Sequence, residues 1–196
     1  MSTTARVPRA EITGPYGYAI KRFSRRLLGE VPESLGVLWH NRAVLNSLMG
    51  LGRRAEKWNQ LDPGLKSYAH MAAVSVIGCS FCLDLAYFQA HNQGLDETKA
   101  SEVPRWRESS VFTALERDVM EYAEAMTETP PRMTDELSAR LLEQLGAPGL
   151  IELTAWVGVA NVAARGNVAL GIEAQGFSKA CALPLARPSV HGAETA

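Results

Sequence analysis

The chain has 196 residues, 46% of them hydrophobic, and its 20 basic and 21 acidic side chains leave a formal net charge of −1. That is enough apolar content for one sizeable core in one domain, and a near-neutral chain has no field with which to gather nucleic acid or an anionic membrane. The longest apolar runs are interrupted by charges or glycines before membrane-spanning length, and the opening MSTTARVPRAEITG has no apolar signal core, so a cytoplasmic protein is expected.

Taken in order, the chain reads as helix after helix, with no convincing strand. Residues 1–14 are polar and contain Pro8 and Gly14; a loose arm is expected. Residues 18–28 form a short, basic, amphipathic helix that stops at Gly29. Pro32 opens a helix over 33–58, in which Gly50 and Gly52 are the expected break and His40 a core or interface histidine. Asp62-Pro63 starts an apolar helix over 65–77, a second follows over 79–91, and Asp96-Glu97 starts a short third that ends before Pro104. The segment 104–110 is a connecting loop. Helices follow over 112–128 and 134–145, the latter stopping at Gly146. The stretch 150–176 is long, apolar and rich in Gly and Ala, which suits a buried or intersubunit seam. The pattern predicts an all-α helical bundle. It divides into an N-terminal arm and basic helix (1–30), one helical domain (31–180) and a loose C-terminal tail (181–196). Gln93-Gly94-Leu95 and Gln175-Gly176-Phe177 suggest an internal two-helix repeat, with Cys79 opposite Asn161 and Cys82 opposite Ala164.

The chemistry concentrates in SVIGCSFCLDLAYFQAHNQG, residues 75–94. Three cysteines are too few for a disulfide scaffold, and in a reducing compartment a close pair is catalytic, regulatory or metal-binding rather than structural. Cys79 and Cys82 are three residues apart, on one face of a helix. Gly78 ends the preceding helix, so Cys79 falls at or near the first turn of the next. Free backbone N–H groups there favour a thiolate, and a disulfide within such a turn stays open to exchange.

These residues carry a resemblance. LDPGLKSYAHMAAVSVIGCSFCLDLAYFQAHNQG, followed by PRWRESSVFTALERDVMEYAEAMT, resembles the carboxymuconolactone decarboxylase and alkylhydroperoxidase D superfamily over residues 35–178. The resemblance implies an all-helical fold assembled as a homotrimer or hexamer. In the hydroperoxidase branch it implies a cysteine pair, here Cys79 and Cys82, that reduces peroxides and is re-reduced by an external dithiol such as lipoamide. The family's relay histidine, four residues after the second cysteine, is Ala86 here, and its glutamate, twelve residues before the first, is Ser67. Both relay groups are missing. The decarboxylase branch generally lacks the cysteine pair, so the chain resembles the uncharacterised thiol-bearing members.

A thiol peroxidase needs a base for the attacking thiol and an acid for the leaving alkoxide. Asp84 lies about 200° round the helix from Cys82 and reads as a structural acid at an interface. His91 is roughly 13 Å along the axis from Cys82, on the far side. Tyr68 and His70 lie on the preceding helix, and His70 is the candidate substitute base. By analogy with the family Cys82 attacks and Cys79 resolves, although the helix-terminus argument favours Cys79 as the more acidic thiol. Cys181 reads as a bystander. A zinc set of Cys79, Cys82, His70 and His91 has the C-x-x-C spacing but the wrong histidine placement, so no metal and no bound cofactor are expected. The expected function is a thiol–disulfide oxidoreductase or weak hydroperoxide reductase acting on a small-molecule peroxide or disulfide. The alternatives are a non-redox lyase, isomerase or binding protein on the same scaffold, or a structural oligomer.

Overall fold

The computed structural model describes residues 5–186. Within them the chain forms α1 (Gly14–Leu28), α2 (Glu33–Leu38), α3 (Arg42–Ala55), α4 (Pro63–Ile77), α5 (Ser80–Asn92), α6 (Glu97–Glu102), α7 (Ala114–Thr127) and α8 (Asp135–Ala169), with 3₁₀ turns at Val103–Arg105 and Phe177–Ala180 and no strand. The all-α expectation holds.

Helix α4 is the axis of the bundle. The Asp62 carboxylate caps its start, accepting the N–H groups of Gly64 at 2.8 Å and Leu65 at 3.2 Å, and Pro63 fits the first turn, where no N–H is needed. Ala69, Met71, Ala72, Ala73 and Val74 have no exposed surface, and the helix packs against α5, α7 and α8. Small residues on α4 let Val119, Met120 and Ala123 of α7 and Leu153, Val157, Ala160 and Ala164 of α8 close in around it. Ile12, Ile20, Leu35, Trp39 and Leu45 make a separate cluster under α1–α3.

Several expectations need correction. The break in the second helical region falls at Trp39–Asn41, and Gly50 and Gly52 sit inside α3. A helical glycine costs only about 1 kcal/mol, whereas the Asn41 side chain accepts the Val44 N–H at 3.2 Å and so starts a new helix. His40 is exposed, with Nε2 2.9 Å from the Pro8 carbonyl. Helix α1 begins at Gly14, four residues early. The described part of the arm is pinned: Arg6 donates from its backbone to Leu170 O at 2.8 Å and from its guanidinium to the last carbonyls of α8. Helix α8 ends at Ala169 and bends at Gly146 (φ 66°). It is long and apolar enough, by length and composition, to cross a membrane, where no such run was expected. One of its faces is buried in the core described above. The suggested repeat is not reproduced: α4 and α5 are parted at Gly78, but the matching position, Ala160, is mid-helix. In the tail, Leu183 and Ala186 are bonded to α6; residues 1–4 and 187–196 lie outside the described residues.

Candidate active site

The thiol turn is built by backbone bonds. Gly78 adopts φ 75°, and the N–H groups of Gly78 and Cys79 return to Ser75 O and Val74 O at 3.0 Å each, closing α4 and reversing the chain. Cys79 is the N-cap of α5, as its position after Gly78 predicts, and its Sγ accepts the Cys82 N–H at 3.3 Å. The two sulfurs stand at bonding distance, with Cα atoms 5.3 Å apart, within the range a disulfide spans. Cys79 is 1% exposed and Cys82 7%. Asn167 of α8 donates from Nδ2 to Cys82 Sγ at 3.3 Å. Both residues are buried, Cys82 slightly less so, and Cys82 is the one whose sulfur has a side-chain donor.

Against α4 and α5 lies a cavity of about 230 Å³ whose wall includes Ser67, His70 and Ala86. The two positions that lack relay groups therefore face one space, Ser67 from α4 and Ala86 from α5. His70, one turn beyond Ser67, joins them with its ring centroid 6.1 Å from that of Trp156. Burial holds its pKa down at about 4, so the imidazole is neutral at ordinary pH. Tyr68 points elsewhere: its ring meets Phe112 edge-on, and burial, with Glu116, raises its pKa to about 12.

Lys66, also on the wall, forms a buried ion pair with Glu152 at 3.0 Å, donates to Trp58 O at 2.8 Å and lies 4.7 Å from the Trp156 ring centroid. Glu152 in turn accepts the Gln60 N–H at 2.7 Å. Burial alone would raise the Glu152 pKa, but the bonds from Gln60 and Lys66 outweigh it and lower it. The pair therefore places balanced charge beside the cavity.

Asp84 proves structural and faces the chain's own tail. Its Oδ2 accepts the N–H groups of Gln175, Gly176 and Phe177 at 3.1, 2.7 and 2.9 Å. Its Oδ1 accepts the N–H and hydroxyl of Ser178 at 2.8 and 2.5 Å. The sequence-based zinc set is not assembled: His70 stands against Trp156, and His91 pairs with Glu97, Nδ1 to Oε2 at 3.2 Å. Cys181 packs against α5 and α6, and burial, with Glu97 and Asp84, pushes its thiol up to about 11.

Sequence reasoning missed Asn167, the Lys66–Glu152 pair and the surroundings of Cys181. Lys66 did leave a signal, as a lone charge on the buried side of an apolar helix. Asn167 left little, a single amide in a run of small residues.

Fold and site define an all-helical protein that carries a cysteine pair at a helix start. A profile of the carboxymuconolactone decarboxylase family matches residues 43–125. An uncharacterised Escherichia coli (strain K12) protein, YnjA, is 36% identical over 136 residues, which span 69% of this chain and 73% of that one. The chain belongs to the carboxymuconolactone decarboxylase family. Among solved structures, the alkylhydroperoxidase AhpD core of an uncharacterised peroxidase-related protein from Ralstonia eutropha JMP134 superposes with a TM-score of 0.78 at 14% identity, covering 90% of this chain and 96% of that one. The debrominase Bmp8, as a cysteine-to-alanine variant in complex with 2,3,4-tribromopyrrole, superposes with a TM-score of 0.76 at 18% identity, covering 92% and 95%. At these identities the likeness is one of fold.

Proposed function

We propose that the protein is a dithiol reductase of small electrophilic molecules, with hydroperoxides as the leading class. The observation that carries this reading is the thiol turn, where two sulfurs at bonding distance are met by N–H donors from the α5 start and from Asn167. Such donors stabilise negative sulfur and lower a thiol pKa.

Cys82 is the attacking thiol, because it is the more exposed of the two. Its thiolate attacks the terminal oxygen of ROOH; the O–O bond breaks, a proton from solvent completes ROH, and Cys82 is left as a sulfenic acid. The Cys79 thiol then displaces that hydroxyl, which leaves as water as the disulfide forms. An external dithiol restores both thiols and departs as a disulfide.

His70 is a poor base for the first step. Burial holds its imidazole at about 4, well below the ordinary thiol value of about 8.5, so it has little tendency to take the proton. Its part is to hydrogen-bond the substrate as a neutral ring. The space beside Ser67 and Ala86 is smaller than a drug-sized site of roughly 300–1,000 Å³, so it suits a small organic group. The likeness to a debrominase adds halogenated aromatics to the substrates worth assaying. The family resemblance supports a homotrimer or hexamer as the working unit.

The test is turnover of tert-butyl hydroperoxide and of a bromopyrrole with dihydrolipoamide or dithiothreitol as donor. Cys82→Ser is expected to lose at least about 100-fold; unchanged turnover in that variant, or none in the wild type with any donor, overturns the reading. A second reading, a non-redox enzyme or binder, rests on one observation: neither cysteine is among the residues that line the cavity. Ligand turnover or binding that survives in the double Cys→Ser variant would establish it.

A further inference from the structure

We propose that His91, Glu97 and Cys181 form a binding site for a divalent cation of the zinc type, which fastens the C-terminal segment to the ends of α5 and α6. The three residues come from separate places: the last turn of α5, the first residue of α6, and the residue after the Phe177–Ala180 turn. One ligand atom from each lies within 4.8 Å of the other two.

The chemistry of the set is specific. Imidazole nitrogen, carboxylate oxygen and thiolate sulfur are the three ligand types that zinc takes, and an open fourth position goes to water. Bonds of about 2.0–2.3 Å in a tetrahedron place ligand atoms roughly 3.2–3.7 Å apart. His91 Nδ1 and Glu97 Oε2 already stand at 3.2 Å. The sulfur needs to move by no more than about an ångström or so, which a χ1 adjustment supplies.

The carboxylate is also pre-set. Glu97 Oε1 accepts the Leu183 N–H at 3.1 Å and faces the Tyr87 hydroxyl at 3.3 Å. Its other oxygen is left turned toward His91. Outer hydrogen bonds of this kind orient the ligands of metal sites. The backbone that carries Cys181 is fixed from the other side, since the Asp84 carboxylate clamps the turn that precedes it. Because the site lies at the far end of α5 from Cys82, the cation's role is to hold the tail, apart from the thiol chemistry.

The experiment uses the full-length Cys79→Ser/Cys82→Ser variant, so that the C-x-x-C pair supplies no ligand. Co²⁺ is titrated as a probe, then displaced with Zn²⁺. One equivalent is expected to give a thiolate-to-cobalt charge-transfer band and the visible bands of a four-coordinate site. Adding Cys181→Ser or His91→Ala is expected to weaken binding at least about 100-fold, with circular dichroism verifying the fold. Zn²⁺ is also expected to slow alkylation of Cys181 by more than about 10-fold, a readout that needs no change at the site. No thiolate band, equal affinity after Cys181→Ser, or Cys181 alkylation indifferent to Zn²⁺ would each overturn the proposal and leave the tail tied by the hydrogen bonds of Glu97 to His91 and Leu183.

Discussion

Cys82 and Cys181 are sulfurs on neighbouring parts of one bundle, and their surroundings have opposite sign. Cys82 receives an amide N–H from Asn167 and sits in the first turn of α5, near the positive end of the helix dipole. Cys181 is half-buried beside Glu97, with Asp84 further along, and burial together with these two carboxylates disfavours its thiolate. In the two proposals above, the same residue type serves thiol–disulfide exchange in one place and coordination in the other. The partner atoms decide, and those partners come from elements far away in the chain: Asn167 for the first sulfur, Glu97 for the second.

The largest change comes from cutting the clamp that separates the two regions. Asp84→Asn keeps the shape of the side chain but removes a charge that accepts four backbone N–H groups and a hydroxyl. The expected loss is about 3–4 kcal/mol in urea denaturation, with Cys181 more open to alkylation and the thiol turn less affected. The pH dependence has a definite sign. Burial raises the Asp84 pKa, but the bonds from Ser178, Phe177 and Gly176 outweigh it, so the folded pKa is lowered. The stabilisation is therefore complete above the unfolded carboxylate value near about 3.9 and is lost as pH falls through the lower folded value. Asp84→Asn should lack that acid-side component. If the variant unfolds no earlier than the wild type, the tail is not held through Asp84.

A second change sharpens the thiol side by asking what His70 contributes. Its pKa falls from about 6.5 to about 4 through burial alone. The unfolded chain therefore binds a proton between those values and the folded chain does not, so stability declines as pH drops from about 6.5 to about 4. His70→Gln should flatten that slope in thermal melts over the same window. In the reading above it should also lower turnover only modestly, without moving the apparent pKa of the cysteines. A cysteine pKa that rises in His70→Gln would make the histidine the thiol base after all.

The helical class, the α4–α5 break and the place of Cys79 were all legible because each is local. Asp62-Pro63 and Gly78 mark helix ends within one or two residues of where they fall, and the C-x-x-C spacing is itself a statement about one turn. The break at Asn41 was masked by two nearby glycines, which permit a break without requiring one. The partners of the sulfurs were not legible. Asn167 meets Cys82 across 85 positions of chain, and Leu183 meets Glu97 across 86. No periodicity links such pairs; only the packing of α8 and of the tail against α5 does. For the same reason Ser67 and Ala86 read as two separate losses, although they face one cavity.

The smallest of these effects tests the comparison most directly. Asn167→Leu keeps the branched shape of the side chain on α8 and removes the amide that donates to Cys82 Sγ. A hydrogen bond to a charged acceptor contributes about 1.5–3 kcal/mol, and part of it is replaced by the α5 N–H groups that remain. The Cys82 thiol in a Cys79→Ser background should therefore rise by about one pKa unit, read as iodoacetamide reactivity against pH, and alkylation near neutrality should slow about 3- to 10-fold. Cys181 reactivity should not change, since Asn167 makes no contact there. A Cys82 titration unmoved by Asn167→Leu would mean that the helix start alone sets the thiolate, and the contrast between the two sulfurs would then rest on backbone rather than side-chain donors.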